Sequence, residues 1–286
     1  MGGNGDSLVG VVGAGGLLGR ALLATACRPV APATRAECEL TSPASVEAWL
    51  ASKRPALVIN AAAYTNVDGA ESAPLEALAG NVTAPAVLAR ACAAAGVPLL
   101  HVSTDHVFDG ALQRPYEVED EPRPLSVYGL SKLGGEQWVR RLQPASWIVR
   151  TSGLFGAGGR NFVDAVATRA RAGQPLRVVA DQVCARTWSV DLAGALWTLV
   201  KRRPPFGYYH VTNAGHVSWY EFARRIVARL GVAVDVTPVT TAQWGAAAMR
   251  PSYSVLSDAA WRAAGLAPLR PEDEAVAAYL RGDGDE

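Results

Sequence analysis

The sequence predicts an α/β fold, a doubly wound parallel sheet followed by a smaller C-terminal domain. Three observations carry the prediction. Short apolar runs alternate with helical stretches through the first half, a glycine-rich turn joins the first run to the first helix, and 286 residues, 50% of them hydrophobic, suffice to cover a sheet on both faces.

Residues 8–12 (Leu-Val-Gly-Val-Val) form a short buried strand, and glycines lead from it into a helix over 17–26. Residues 29–33 are a weaker second strand. A helix over 42–51 starts at Ser42 or Thr41, whose hydroxyls suit an N-cap, with Pro43 at the first helical position and Glu47 in the early turns. Residues 57–60 (Leu-Val-Ile-Asn) are the third strand and 75–95 a long Ala-rich helix. Residues 98–103 are the fourth strand, 126–142 a helix and 146–150 the fifth strand. Past residue 152 the rhythm loosens into a glycine-rich loop, a helix over 162–172, a strand at 177–179 and a helix over 190–201. A break at Arg203-Pro204-Pro205 precedes a strand at 208–211 and a helix over 219–230. The expected division is a first domain over 1–152 and a second over 153–286, with part of 176–215 returning to the main sheet. There is no internal repeat, and the tail over 281–286 is expected to fray.

Composition narrows the function classes. Lys and Arg number 27 against 26 Asp and Glu, a net charge of +1, so no electrostatic reason exists for a nucleic-acid or membrane-surface partner. Cys27, Cys38, Cys92 and Cys184 are dispersed without metal spacing, so ordinary thiols are expected and no metal site is visible. The apolar stretch 8–27 imitates a signal peptide. The first residues, however, carry Asp6 and no Lys or Arg, and Arg20 and glycines interrupt the stretch. No other segment reads as long and apolar enough to span a bilayer. The expectation is a cytoplasmic small-molecule enzyme, monomer or homodimer.

The chemistry starts at Gly13-Ala14-Gly15-Gly16-Leu17-Leu18-Gly19, between the first strand and the first helix. Glycines there permit positive φ and let backbone approach a pyrophosphate at the helix N-terminus, which makes the sheet Rossmann-type. After the second strand comes Ala33-Thr34-Arg35, with no acid directly in place to bond a ribose 2′-hydroxyl. Arg35 suits a 2′-phosphate, so NADPH is favoured; Glu37 and Glu39 follow and leave NADH open. Tyr128-Gly129-Leu130-Ser131-Lys132 places a phenol and an ammonium on one helical face. A cation so close is expected to lower the phenol's pKa, letting Tyr128 protonate a carbonyl that receives hydride. Val102-Ser103-Thr104-Asp105 delivers hydroxyls to the same strand edge.

These residues carry a family resemblance. The chain resembles the dTDP-4-dehydrorhamnose reductase family of extended short-chain dehydrogenases over nearly its whole length. The matching stretches are the glycine turn, residues 58–65 (Val-Ile-Asn-Ala-Ala-Ala-Tyr-Thr), 67–72, 101–110 (His-Val-Ser-Thr-Asp-His-Val-Phe-Asp-Gly), 114–116, 127–133, 150–152, 181–182 and 250–254. The resemblance implies Tyr128 as proton donor, Lys132 as its electrostatic partner and nicotinamide-ribose anchor, and Thr104 as the hydroxyl on the substrate carbonyl. It implies a cofactor lined by Ala62, Ala63, Tyr64, Thr65 and Val102, with Glu39 and Leu40 near the adenine. The implied reaction is reduction of a dTDP-4-keto-6-deoxyhexose at C4, over an NADP-binding domain and a nucleotide-sugar domain. Asp105, His106, Asn161, Phe162 and Arg250 are the further substrate candidates.

Three departures cluster where the sugar belongs. The family's Tyr after Ser-Thr-Asp is His106, its Trp after Arg-Thr-Ser is Gly153, and its Asp-Gln-x-Gly-x-Pro-Thr reads Asp181-Gln182-Val183-Cys184-Ala185-Arg186-Thr187. Loss of an indole removes contact surface, so another group refills the pocket or another sugar occupies it. His106 reads as a sugar contact or a pocket wall, and Arg186 as a diphosphate partner or a surface residue. The product is dTDP-L-rhamnose or a deoxysugar for natural-product glycosylation. The alternatives are a non-catalytic dinucleotide-binding regulatory subunit and a nucleotide-sugar epimerase or dehydratase. Trp138, Trp147, Trp188, Trp197 and Trp244 read as core or interface residues, and His210 and His216 as structural or surface ones.

Overall fold

A computed structural model describes residues 7–282. Of the tail over 281–286 expected to fray, Arg281 instead ends the last helix and residues 283–286 lie outside the described residues, as do the first six residues weighed for a signal peptide. The sheet-forming half contains β1 (Val9–Val12), α1 (Leu17–Ala24), β2 (Val30–Ala33), α2 (Pro43–Lys53), β3 (Leu57–Asn60), α3 (Val67–Ser72), α4 (Pro74–Leu78), α5 (Ala84–Ala94), β4 (Leu99–Thr104), α6 (Val127–Leu142) and β5 (Ser146–Thr151). The rest contains β6 (Leu154–Phe155), α7 (Phe162–Arg171), β7 (Leu176–Val179), β8 (Val183–Cys184), β9 (Thr187–Trp188), α8 (Ser189–Arg202), β10 (Gly207–His210), β11 (Val217–Ser218), α9 (Trp219–Leu230), β12 (Val236–Val239), α10 (Thr241–Trp244), α11 (Ala259–Ala263) and α12 (Glu272–Arg281).

The main sheet runs β10-β5-β4-β3-β1-β2 with every pairing parallel. β1, β3 and β5 are buried throughout, as strands covered on both faces must be. β2 carries Pro32, which is tolerated because β2 is an edge strand. One face is covered by α1 and α8 through Leu18, Leu22, Leu192 and Leu196, the other by α2 and α5 through Val46, Leu50, Leu88 and Cys92. From β1 the chain goes first to β2 and then crosses back to β3. This reversal opens a crevice at the carboxyl ends of β1 and β3, where such sheets bind ligands.

α2 starts as expected, with the Ser42 hydroxyl accepting the Ser45 N–H and Pro43 at the first position. The Ala-rich helix differs from the sequence reading. Between α4 and α5 residues 79–83 form a π-turn, so the run carries one wide turn. The run Pro74–Ala94 also has the length and mean hydropathy (1.2) to cross a membrane, which the sequence reading did not grant it. In this fold its inner side packs against α2 and α6.

The second half both returns to the sheet and builds its own core. β10 extends the sheet beside β5, and α8 packs on α1. The strand expected at 177–179 does not join it: β7 pairs with β12 in a separate two-stranded parallel sheet. That unit has its own core of Phe155, Val163, Phe222, Ile226 and Val276. The stretch read for signal-peptide character forms β1 and α1, buried within the main core.

Candidate active site

The glycine turn leaves β1 with Gly13 at φ 78°, and a Cβ there would stand 2.5 Å from the Ala62 nitrogen after β3. A Cβ on Gly19 would strike the Gly13 carbonyl, so turn, helix and the β3 loop close up only without side chains. Gly15 and Gly16 are exposed, with open space above Gly15 and only the Gly13 carbonyl, 3.4 Å from where a Cβ would stand, near Gly16. Leu17 and Leu18 then open α1, whose first N–H groups face that space without a side-chain cap. The cradle fits a pyrophosphate. Arg35 is 89% exposed at the edge, its Nε 3.9 Å from Glu39, while the Thr34 N–H and hydroxyl donate to Glu37 at 2.8 and 2.9 Å. Leu40 is buried in the core beneath.

The loop after β3 holds Ala62, Ala63, Tyr64 and Thr65. The Ala62 N–H donates to the Asn60 side chain at 3.0 Å, and the Asn60 amide meets His101 Nδ1 at 3.0 Å. Asn81, in the π-turn, accepts the Tyr64 N–H at 2.9 Å and donates to the Tyr64 carbonyl and the Ser131 hydroxyl, both at 3.0 Å. Sequence reasoning missed Asn81. Its only signal was a buried-size polar residue inside an apolar helix.

Thr104, Tyr128 and Lys132 come together at the carboxyl end of β4. α6 starts at the Ser126 cap, which presents Tyr128 in the first turn, 8% exposed, with the Thr104 hydroxyl near enough to pull on its pKa. Lys132 is 3% exposed and donates its Nζ to the Val102 carbonyl at 2.8 Å. Burial pushes the Tyr128 phenol up to about 12, with the Thr104 hydroxyl opposing and the Asp105 charge adding. Burial pushes Lys132 down to about 8, opposed by Glu136. The expected lowering of the phenol by its lysine is therefore corrected. Desolvation of Tyr128 outweighs a neighbour whose ammonium is committed to a backbone carbonyl. A neutral phenol is nonetheless the form a proton donor needs.

Asp105 is buried, and its carboxylate accepts three hydroxyls: Thr104 at 3.1 Å, Ser152 at 2.8 Å and Ser254 at 2.5 Å. His106 is half-buried, edge-on to the Tyr128 ring at 5.5 Å; burial holds its imidazole below the usual value, and Nδ1 has no partner.

Gly153 sits at φ 53°, and a Cβ there would be 2.7 Å from both the Ala185 carbonyl and Arg186 Cδ. Arg186 is fully buried and stacks on Trp219 at 3.9 Å, with Nη1 donating to the Cys184 and Val217 carbonyls. It is neither at the surface nor turned to a diphosphate, because an aromatic face and two carbonyls hold it inside. Its stem fills the room beside Gly153.

Arg250 is paired with Asp68 through two bonds of 2.8 and 3.0 Å, which holds the Asp68 carboxyl below its ordinary value. Asn161 caps α7 and donates to the Gly156 carbonyl at 2.9 Å, and Phe162 packs on Trp219 at 4.7 Å. Both are half-buried, and Phe162 packs on the edge of the second core. Trp147, Trp188 and Trp197 are buried, Trp138 and Trp244 exposed, and His210 is buried against Arg150 at 3.4 Å. No group of three or more metal-ligating side chains occurs among the described residues. A groove of about 510 Å³ along α2 and α5, lined by Glu47, Leu50 and Arg54, lies away from all these groups.

Comparison with known proteins converges with this geometry. The family described as RmlD substrate binding domain matches residues 8–283. The chain is 42% identical over 269 residues to the dTDP-4-dehydrorhamnose reductase of Streptomyces griseus, covering 91% of this chain and 88% of that protein. It is 39% identical over 265 residues to the dTDP-4-keto-6-deoxy-D-glucose reductase of Streptomyces niveus, covering 91% and 92%. Among solved structures, the dTDP-4-dehydrorhamnose reductase of Bacillus anthracis in complex with NADP superposes with a TM-score of 0.94 at 33% identity, covering 97% of this chain and 99% of that one.

Proposed function

The chain belongs to the RmlD substrate binding domain family, and from that premise we propose that it is an NADPH-dependent 4-ketoreductase of dTDP-4-keto-6-deoxyhexoses. The observation that carries the reading is the buried set of Tyr128, Thr104 and Lys132 at the end of β4, on the sheet edge that also carries the glycine turn after β1. NADPH, when bound, supplies the hydride that C4 receives. Tyr128 gives its phenolic proton to the carbonyl oxygen, and the ketone becomes an alcohol. Thr104, at the same strand end, lines the carbonyl's position with a hydroxyl whose own proton goes to Asp105. Lys132, fixed on the Val102 carbonyl, holds positive charge under the phenol and offers its remaining donors to the nicotinamide ribose.

Gly13, Gly15, Gly16 and the first turn of α1 hold the pyrophosphate, with Arg35 at the 2′-phosphate and the loop from Ala62 to Thr65 along the ring. In this reading residues 1–152 carry the cofactor and 153–286 mainly the nucleotide-sugar, in a cytoplasmic monomer or homodimer. The finer substrate lies between the rhamnose precursor and another ketosugar of natural-product pathways. The wall built by Gly153 and Arg186 in place of an indole supports the second.

Absorbance of NADPH, and separately of NADH, tests the reading with the 4-ketosugar made from dTDP-glucose by a dehydratase, with and without a 3,5-epimerase. Oxidation that needs the ketosugar and collapses by about 10²–10⁴ in Tyr128→Phe is expected. Cofactor binding without oxidation of either ketosugar would sink it in favour of a binding subunit.

A further inference from the structure

The polar cluster at the end of β4 contains a residue from the far end of the chain. Residues 246–257 form a strap across the carboxyl edge of the sheet. It is tied to α3 by the Asp68 pairing with Arg250 and the Ala248 N–H, the latter at 3.0 Å. It pairs with β8 on both sides of Val183, at 2.8 and 2.9 Å, and with Tyr116 through the Val255 carbonyl and the Ser257 N–H, each at 2.8 Å. So pinned, the strap turns the Ser254 hydroxyl inward to within 2.5 Å of Asp105 Oδ2, where both residues are 3% exposed.

We propose that Ser254 is a positioning residue for the ketone reduction, acting through Asp105 on the hydroxyls of Thr104 and Tyr128, an inference that rests on the reductase reading above. A carboxylate accepts and does not donate, so each hydroxyl that meets Asp105 gives it a proton. Ser152 and Ser254 both occupy Oδ2, which leaves Oδ1 to Thr104. With its proton committed there, the Thr104 oxygen accepts the His106 N–H at 3.2 Å and stands beside the Tyr128 phenol, whose pKa it pulls down. The orientation of the Thr104 hydroxyl beside the Tyr128 phenol therefore follows from how Asp105 is held. Without Ser254 the carboxylate keeps only Ser152 on Oδ2, and the orientation of the Thr104 hydroxyl is held less firmly. Because the anchor is on the strap, the donor set is complete only when the second half of the chain is docked on the first.

The test compares Ser254→Ala, Ser254→Thr and, as a strap control, Ser252→Ala, whose exposed side chain lies outside the cluster. Ser254→Ala is expected to lose about tenfold in kcat with KM for ketosugar and NADPH within about twofold, and Ser254→Thr to retain more than Ser254→Ala does. In protein labelled with 13C-tyrosine, the Cζ resonance of Tyr128, assigned by its loss in Tyr128→Phe, is expected to move in Ser254→Ala and stay in Ser252→Ala. An unmoved resonance, or a loss confined to KM, overturns the proposal. Were the wild type to reduce neither ketosugar, the reductase reading would fail, and the resonance alone would decide the positioning role either way.

Discussion

Tyr128 and Lys132 show how one cause, burial, acts oppositely on an acid and a base. The phenol is pushed up to about 12 and the ammonium down to about 8. Tyr128 therefore stays protonated through the working range, and the first group to titrate on the alkaline side is Lys132. The expected kcat/KM profile, which reports the free enzyme, falls as pH rises through about 8; a profile flat to pH 10 would show that the ammonium is not needed. The same shift fixes a sign for stability. Between about 8 and the ordinary 10.5 the unfolded chain holds a proton on Lys132 that the folded protein does not, so stability rises with pH across that window and the penalty is full below it. Lys132→Met is thus expected to lose activity while its urea midpoint at pH 7 equals or exceeds wild type, the difference shrinking toward pH 10. A lower midpoint would mean that the Val102 bond outweighs the desolvation. At Gly153, restoring an indole meets Arg186 and a left-handed backbone together. Gly153→Trp should cost about 1–3 kcal/mol and activity, and a urea midpoint equal to wild type would show that the pocket has room for the indole.

Elements place these groups by local rules that packing then modifies. α6 is held at its start by the Ser126 cap and in its middle by Glu136, fully buried and bidentate to Arg150 of β5 at 2.7 and 3.0 Å. Arg150 in turn lies over Phe108 and Tyr208. Replacing one partner of such a pair strands the other charge, so Glu136→Gln should cost about 3–5 kcal/mol in urea unfolding. A loss under about 1 kcal/mol would mean that water or His210 takes over the guanidinium. The π-turn is the other modification: it widens one turn enough to send Asn81 to both backbone groups of Tyr64. A regular helix with the same apolar pattern was the natural reading of the sequence. No periodicity marks where one polar side chain will claim two backbone partners.

At the scale of the molecule, the two halves of the chain about residue 152 cover each other's core. β10 covers the outer edge of β5, α8 covers α1, and the Trp147 indole donates to the Pro204 carbonyl at 3.0 Å. A fragment of residues 1–152 is accordingly expected to be insoluble or to lose near-ultraviolet circular dichroism, since Trp147 and Leu22 are left without cover. A cooperatively folding fragment would contradict that dependence. The parallel sheet, the glycine turn and the placing of Tyr128 and Lys132 on one helix were legible in the sequence, because strand burial, left-handed turns and helical spacing are local properties read within a few residues. The strap, the filling of Gly153 by Arg186 and the burial of Arg186 itself were not, since each joins residues distant in the chain. The sequence by itself determined the elements and the reaction type. Tertiary structure decided which way each pKa moves, which charges are already paired and which hydroxyls share Asp105, because desolvation and hydrogen bonding depend on what the folded chain brings alongside a group.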